Sequence, residues 1–140
     1  MFELSKVAKA INAIHLGKDV RVAGVTCDSR SVRKGDMFVA LEGQRFNAHK
    51  FVGDAFDSGA VAAMVSEDLY GDTQRPLLVV SDSTRLGFGR LAAWWRDKFE
   101  IPVIAVTGSN GKTTVKEMIA SILQNCVGKE QVLSTLGNLN

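Results

Sequence analysis

The chain has 140 residues, 46% of them apolar, so it can bury a real core and general disorder is excluded. That length suits one ordinary domain or two small ones. Seventeen basic side chains against 15 acidic ones leave a formal charge of +2. This is too little for an electrostatic grip on nucleic acid or an anionic membrane.

Leu4, Val7, Ala8 and Ile11 recur at i, i+3, i+4 and i+7, which predicts a short amphipathic helix. Glu3, Lys6 and Lys9 interrupt the apolar residues from Met1 to Ile14, so this start has no signal-peptide h-region. His15 stands beside Gly17 at an expected helix end and reads as a capping or surface histidine. Val20 to Cys27 is rich in β-branched residues and predicts a strand running into Asp28-Ser29-Arg30. Met37 to Leu41 is a second short apolar run, of the kind that suits strands covered on both faces. Phe51 to Ser58 predicts a helix with Gly59 just past its end. Val61 to Val65 and Leu77 to Val80 supply two more buried strands. The β-rich runs alternate with helical stretches, so these residues form a compact α/β unit.

Ser81-Asp82-Ser83-Thr84 has helix-capping chemistry, and helical periodicity follows to Phe99. Leu91, Trp94, Trp95 and Phe99 form its broad apolar face, read as packing rather than as a ligand-stacking platform. Residues 1–83 carry 10 basic and 11 acidic groups, whereas 84–140 carry 7 and 4; the boundary is therefore set near Asp82. Beyond it, Ile101 to Val106 predicts a buried strand and Lys112 to Gln124 a helix. In that helix Val115, Met118, Ile119, Ile122 and Leu123 share a face. Val132 to Thr135 is expected to begin another strand. One strand, one helix and a strand fragment do not close a doubly wound sheet, so further chain is expected after Asn140. Cys27 and Cys126 have no Cys or His at ligand spacing and make neither a disulfide framework nor a metal set. Both are expected to be buried small apolar residues, reduced in a cytoplasmic protein. No stretch approaches the ~18 continuous apolar residues of a spanning helix, so no membrane insertion is expected.

The strongest chemical signal is Thr107-Gly108-Ser109-Asn110-Gly111-Lys112-Thr113-Thr114, between an apolar run and an amphipathic helix. A triphosphate needs inward-turned backbone N–H groups, glycines where a Cβ would block that turn, and a helix N-terminus beneath the phosphates. Gly108 and Gly111 meet the steric need, Lys112 brings a point charge for the β- and γ-phosphates, and the Thr113 hydroxyl stands where a Mg²⁺ ligand belongs. The common G-x-x-x-x-G-K-[ST] pattern would put glycine at position 106, which here is Val106. A glycine turn that merely precedes Lys-Thr is the competing reading. Strand before, helix after and the double threonine favour nucleotide binding.

These residues, after Ile101-Pro102-Val103-Ile104-Ala105-Val106, resemble the ATP loop of the Mur ligases, ATP-dependent amide-forming enzymes of peptidoglycan precursor synthesis. Asp28-Ser29-Arg30, Gly35 to Gly43 and Phe46-Asn47-Ala48-His49 resemble the uridine-substrate domain of the branch acting on UDP-MurNAc-peptides. Asp82 to Trp94 resembles the linker helix of the branch that adds D-alanyl-D-alanine. Thr135-Leu136-Gly137-Asn138-Leu139-Asn140 is similar to the opening of that branch's central-domain substrate loop.

The resemblance covers the whole chain and about the first third of such an enzyme. It implies an α/β fold in which 1–83 is the UDP-MurNAc-peptide (uridine) binding domain. Residues 84–140 would be a linker helix and the start of a truncated P-loop ATPase domain. It also implies an ADP-forming ligase with ATP and Mg²⁺, cytoplasmic and monomeric at full length. UDP-MurNAc-tripeptide and D-alanyl-D-alanine are its substrates, joined through an acyl phosphate, and these 140 residues are expected to be inactive alone. Residue by residue, Lys112 is the catalytic group, Thr107 to Thr114 hold ATP, and Thr113 holds the metal. Ser29, Arg30, Gly43, Phe46, Asn47, His49, Asn138 and Asn140 are candidate substrate contacts. For Asp28-Ser29-Arg30 a plain turn with a solvated arginine competes with phosphate binding. The other readings are a stand-alone P-loop NTPase, another Mur-type ligase of the UDP-MurNAc pathway, and a non-catalytic UDP-sugar-peptide binding module.

Overall fold

In the computed structural model, which describes residues 2–43, 46–66 and 74–137, the chain forms two compact units, Met1–Glu100 and Ile101–Asn140. The first unit begins with β1 (Phe2–Glu3), α1 (Leu4–Ile11), β2 (Ile14–Leu16), β3 (Arg21–Val22), β4 (Gly24–Thr26) and β5 (Asp36–Val39). It continues with β6 (Glu42–Gly43), β7 (Phe46–Asn47), α2 (Val52–Asp57), β8 (Ala62–Val65), β9 (Leu77–Val79) and α3 (Thr84–Arg96). The second unit holds α4 (Lys112–Val127).

The main sheet has the order β2-β9-β8-β5-β4. Its last four strands are parallel, and β2 adds an antiparallel edge against β9. Successive side chains on a strand point to opposite faces, and this decides the layers. Met37, Val39, Ala62, Met64, Leu78 and Val80 face a core shared with Leu4, Val7, Ala8 and Ile11 of α1 and Leu91 of α3. Phe38, Ala63, Val65 and Leu77 face the other way, onto Val52 and Ala55 of α2. Both faces are covered, which is why these strands read as continuous apolar runs rather than alternating ones.

The ties of α3 to the sheet explain its place. A Cβ at Gly87 would lie 2.7 Å from Val80 Cγ1, so glycine there lets the helix approach closely. The buried Thr84 donates its hydroxyl to the Ala40 carbonyl at 2.8 Å. Arg90 forks onto Asp82 at 2.7 and 2.9 Å and also donates from Nε to the Ile11 carbonyl at 3.0 Å, joining the segment after β9, α3 and the C-terminus of α1. The boundary in packing therefore falls after Glu100 rather than near Asp82, and α3 belongs with the first unit.

Other expectations need correction. Val20 to Cys27 is not one strand: β3 pairs with β1, β4 pairs with β5, and Ala23 separates them. His15 lies inside β2 rather than at a helix end; α1 stops at Asn12, whose φ of 55° is left-handed. The α3 helix stops at Arg96, short of Phe99. Along it Leu91 is buried, Trp94 and Trp95 are half-buried, and Phe99 is exposed. Residues 101–106 are not a buried strand: Ile101, Val103 and Ile104 are exposed, and Val132 to Thr135 is not a strand either. A strand exists only with a neighbour to share its backbone bonds, and no element among the described residues of 101–137 is one. Cys27 and Cys126 are both exposed, because Cys27 has already left β4 and Cys126 lies on an outer face of α4.

Candidate functional site

The four parallel strands of the first unit end at Thr26, Val39, Val65 and Val79, so the segments that follow them gather at one edge of the sheet. Open α/β sheets bind ligands outside this carboxyl edge. Asp28-Ser29-Arg30, the β6–β7 hairpin, His49, Ser66 and Asp82 all lie there.

Asp28 caps a 3₁₀ turn over Ser29–Ser31. Its carboxylate accepts from the Arg30 backbone N–H at 3.0 Å, from Arg30 Nε at 3.0 Å and from Nη2 at 2.9 Å. These side-chain and then backbone bonds from Arg30 pull the Asp28 pKa down to about 2. The turn and the charged fork are thus one arrangement: Asp28 aims the guanidinium, whose side chain is 89% exposed. Ser29 is half-buried beside it.

The β6–β7 hairpin pairs Glu42 with Asn47 and Gly43 with Phe46. Phe46 is 55% exposed, and its ring stacks on Phe51 with centroids 5.9 Å apart. The Lys50 ammonium lies 5.8 Å from the Phe46 centroid and 5.0 Å from that of Phe51. An exposed aromatic face beside a cation suits a base carrying phosphate. Asn47 is exposed and its Oδ1 accepts from the His49 backbone N–H at 2.9 Å, whereas His49 is buried. Lys50 escaped the sequence reading, because Phe46 lies in β7 and Lys50 in the 3₁₀ turn that follows, a pairing no helical spacing announces. Arg90 was missed because its partner Asp82 lies eight residues away, outside any helical pairing rule.

In the second unit, Gly108 and Gly111 have φ of 149° and 74°, conformations that side chains with a Cβ rarely adopt. Gly111 caps α4, whose first turn carries no acidic residue to cancel the positive end of the helix. Lys112 donates from Nζ to the Gly108 carbonyl at 2.7 Å, so its ammonium closes the loop where phosphate oxygens would sit. Thr113, half-buried, and Thr114, exposed, follow in the first turn. Asn138 and Asn140 lie outside the described residues.

Two family profiles cover this arrangement. The Mur ligase family, catalytic domain, matches residues 21–94, and the Mur ligase middle domain matches residues 106–140. The chain belongs to the Mur ligase family. This Mur ligase is similar to UDP-N-acetylmuramoyl-tripeptide–D-alanyl-D-alanine ligase of Escherichia coli (strain K12), 47% identical over 98% of the chain and 29% of that relative. It is also similar to crystal structure II of MurF from Acinetobacter baumannii. There the TM-score is 0.79 at 35% identity, over 99% of this chain and 30% of that one. The MurF ligase of Thermotoga maritima in complex with ADP gives a TM-score of 0.66 at 34% identity, over 77% of this chain and 25% of that one. The Mur ligase chain thus spans about three-tenths of the length of the relatives it matches. Among its described residues no helix is long and apolar enough to cross a membrane.

Proposed function

We propose that the protein is a cytoplasmic, ATP-dependent, ADP-forming ligase that adds D-alanyl-D-alanine to UDP-MurNAc-tripeptide in peptidoglycan precursor synthesis. The observation that carries this is the 47% identity over 98% of the chain to a ligase of that name, spanning both units. Residues 1–83 would hold the uridine diphosphate end of the substrate, and 84–140 would supply the helix α3 and the ATP loop.

At the sheet edge, Phe46 offers an exposed face for the uracil, with Ser29 and Asn47 as polar neighbours and Gly43 leaving the hairpin backbone open. Arg30 and Lys50 supply charge for the diphosphate. Asp28 keeps Arg30 oriented, so less rotamer freedom is lost on binding. In the second unit, the residues from Thr107 to Thr114 would cradle the ATP phosphates.

A carboxylate is a poor electrophile. Transfer of the γ-phosphoryl group to the peptide carboxylate makes an acyl phosphate, releasing ADP. The amine of D-alanyl-D-alanine then attacks the acyl carbon, the C–O bond to phosphate breaks, and the amine loses a proton. Lys112 would leave the Gly108 carbonyl for the phosphate oxygens and screen the two anions as they meet. The donor set suits Mg²⁺. The hydroxyls of Thr113 and Thr114 lie in the first turn of the helix, Thr113 nearer the loop, and no acidic or His/Cys cluster capable of holding a metal alone exists among the described residues. Mg²⁺ is held through substrate phosphates, water and a few protein oxygens, of which the Thr113 hydroxyl would be one; when bound it would neutralise charge on the phosphates.

The test is incubation of the full-length protein with ATP, UDP-MurNAc-tripeptide and D-alanyl-D-alanine. Mass spectrometry should show the pentapeptide product with one ADP formed per amide bond. Product formation with a single amino acid in place of the dipeptide, and none with the dipeptide, would reject this reading.

A further inference from the structure

One buried polar side chain at the sheet edge has no assigned work. His49 is 4% exposed and sits in a 3₁₀ turn, Ala48–Phe51, directly after β7. Its Nδ1 lies 2.7 Å from Asn47 Oδ1, an atom that only accepts, so Nδ1 carries the proton. Its Nε2 lies 3.0 Å from the Ser66 backbone nitrogen, which only donates, so Nε2 is the bare acceptor. The Ser66 hydroxyl adds a second contact to Nε2 at 3.2 Å. The ring therefore bridges two segments 17 residues apart: the turn after the β6–β7 hairpin, and the residue just past β8.

We propose that His49 is a positioning residue of the uridine site, clamping the β6–β7 hairpin to the end of β8 so that Phe46 and Asn47 are held ready for the ligand. This rests on the uridine reading of the sheet edge. A hairpin with two residues in each strand is not stable by itself. Phe46 is mostly exposed, so its own burial does little to anchor β7. The imidazole supplies the missing tie, and it orients Asn47 through the same ring. Because both ring nitrogens are used within the protein, His49 acts through its neighbours and does not touch the ligand.

Two polar substitutions separate the two bonds. In His49→Asn the short amide reaches Asn47 but not Ser66; in His49→Gln the side-chain oxygen reaches the Ser66 N–H. Calorimetric titration of the full-length protein with UDP should show about tenfold weaker binding for His49→Asn, equivalent to about 1.4 kcal/mol. The His49→Gln variant should stay within about threefold of the unaltered protein, and ATP affinity should be unchanged in both. A two-bond ¹H–¹⁵N spectrum should place the His49 proton on Nδ1. UDP binding by a folded His49→Asn variant equal to that of the unaltered protein overturns the proposal, as does a ring proton on Nε2. If His49→Asn does not fold, tenfold weakening in a His49→Gln variant of unchanged melting temperature overturns it too. Failure of the unaltered protein to bind UDP removes the uridine reading itself, and this inference with it.

Discussion

The two units use similar sequence patterns to opposite effect. In the first, Met37, Phe38, Val39, Met64 and Leu78 are buried, because each strand has neighbours and each face a helix. In the second, α4 exposes Val115, Met118 and Ile122, which lie at i, i+3 and i+7 on one face, and Leu133 is 99% exposed. Apolar periodicity determines which face would be buried; only a partner surface buries it. Local stability should follow the same division, since segments with few buried contacts open most easily.

One side-chain type tests that contrast in both environments. Met64 is fully buried under α3, whereas Met118 is 61% exposed on α4. In the 140-residue chain, Met64→Ala should destabilise the first unit by about 2–5 kcal/mol, as a cavity-forming change does. Met118→Ala should alter the second unit by less than about 0.5 kcal/mol, as at other exposed positions. Urea unfolding read by hydrogen exchange within each unit measures both. Comparable losses at the two sites would break the comparison.

In the proposed reading, the second unit contributes chemistry at its loop rather than packing. Lys112→Ala in the full-length enzyme should lower ligation on the order of 10²- to 10³-fold, the range for loss of an electrostatic donor to a transition state. The first unit should melt unchanged, because the Lys112 bond lies wholly inside the second. Near-normal phosphate release would sink the assignment.

A smaller effect sharpens the picture of the first unit's rim. The Asp28 pKa is lowered from 3.8 to about 2 by Arg30. A lowered carboxylate pKa means the pairing contributes above pH 3.8 and is lost as pH falls through about 2. Carboxyl NMR titration should find the Asp28 midpoint there, and Arg30→Ala should move it up toward the ordinary carboxylate range. The same variant should weaken UDP binding about tenfold, as for loss of one charge-assisted contact, with ATP affinity within about twofold. A midpoint unmoved by Arg30→Ala would mean that the fork does not hold the turn.

Much of this was legible along the chain. The helix at Leu4–Ile11 follows from four apolar residues at helical spacing, and the buried runs at β5, β8 and β9 from their unbroken hydrophobicity. The loop proposed to hold ATP stands out through glycines at two positions that take positive φ, followed by Lys112 at a helix start. Less visible were β1 and β2, each three residues or fewer, because so short a segment carries no period to read. The run at 101–106 had the composition of a strand without its neighbour. Composition prefers a conformation, but a ladder needs two strands.

The sequence by itself determined local matters: where helices begin, which faces are apolar, and which loop takes glycines at positive φ ahead of a lysine. These depend on side-chain volume, charge and backbone sterics within a few residues. Only the tertiary structure decided that α3 packs with the first unit, that Cys27 and Cys126 stay exposed, and that His49 turns inward to Ser66. The packing of α3 and the turn of His49 rest on partners far along the chain. Arg90 meets Ile11 across 79 residues, Thr84 meets Ala40 across 44, and His49 meets Ser66 across 17. A hydrogen bond or a buried surface is a property of two segments at once, so neither segment's sequence carries it alone.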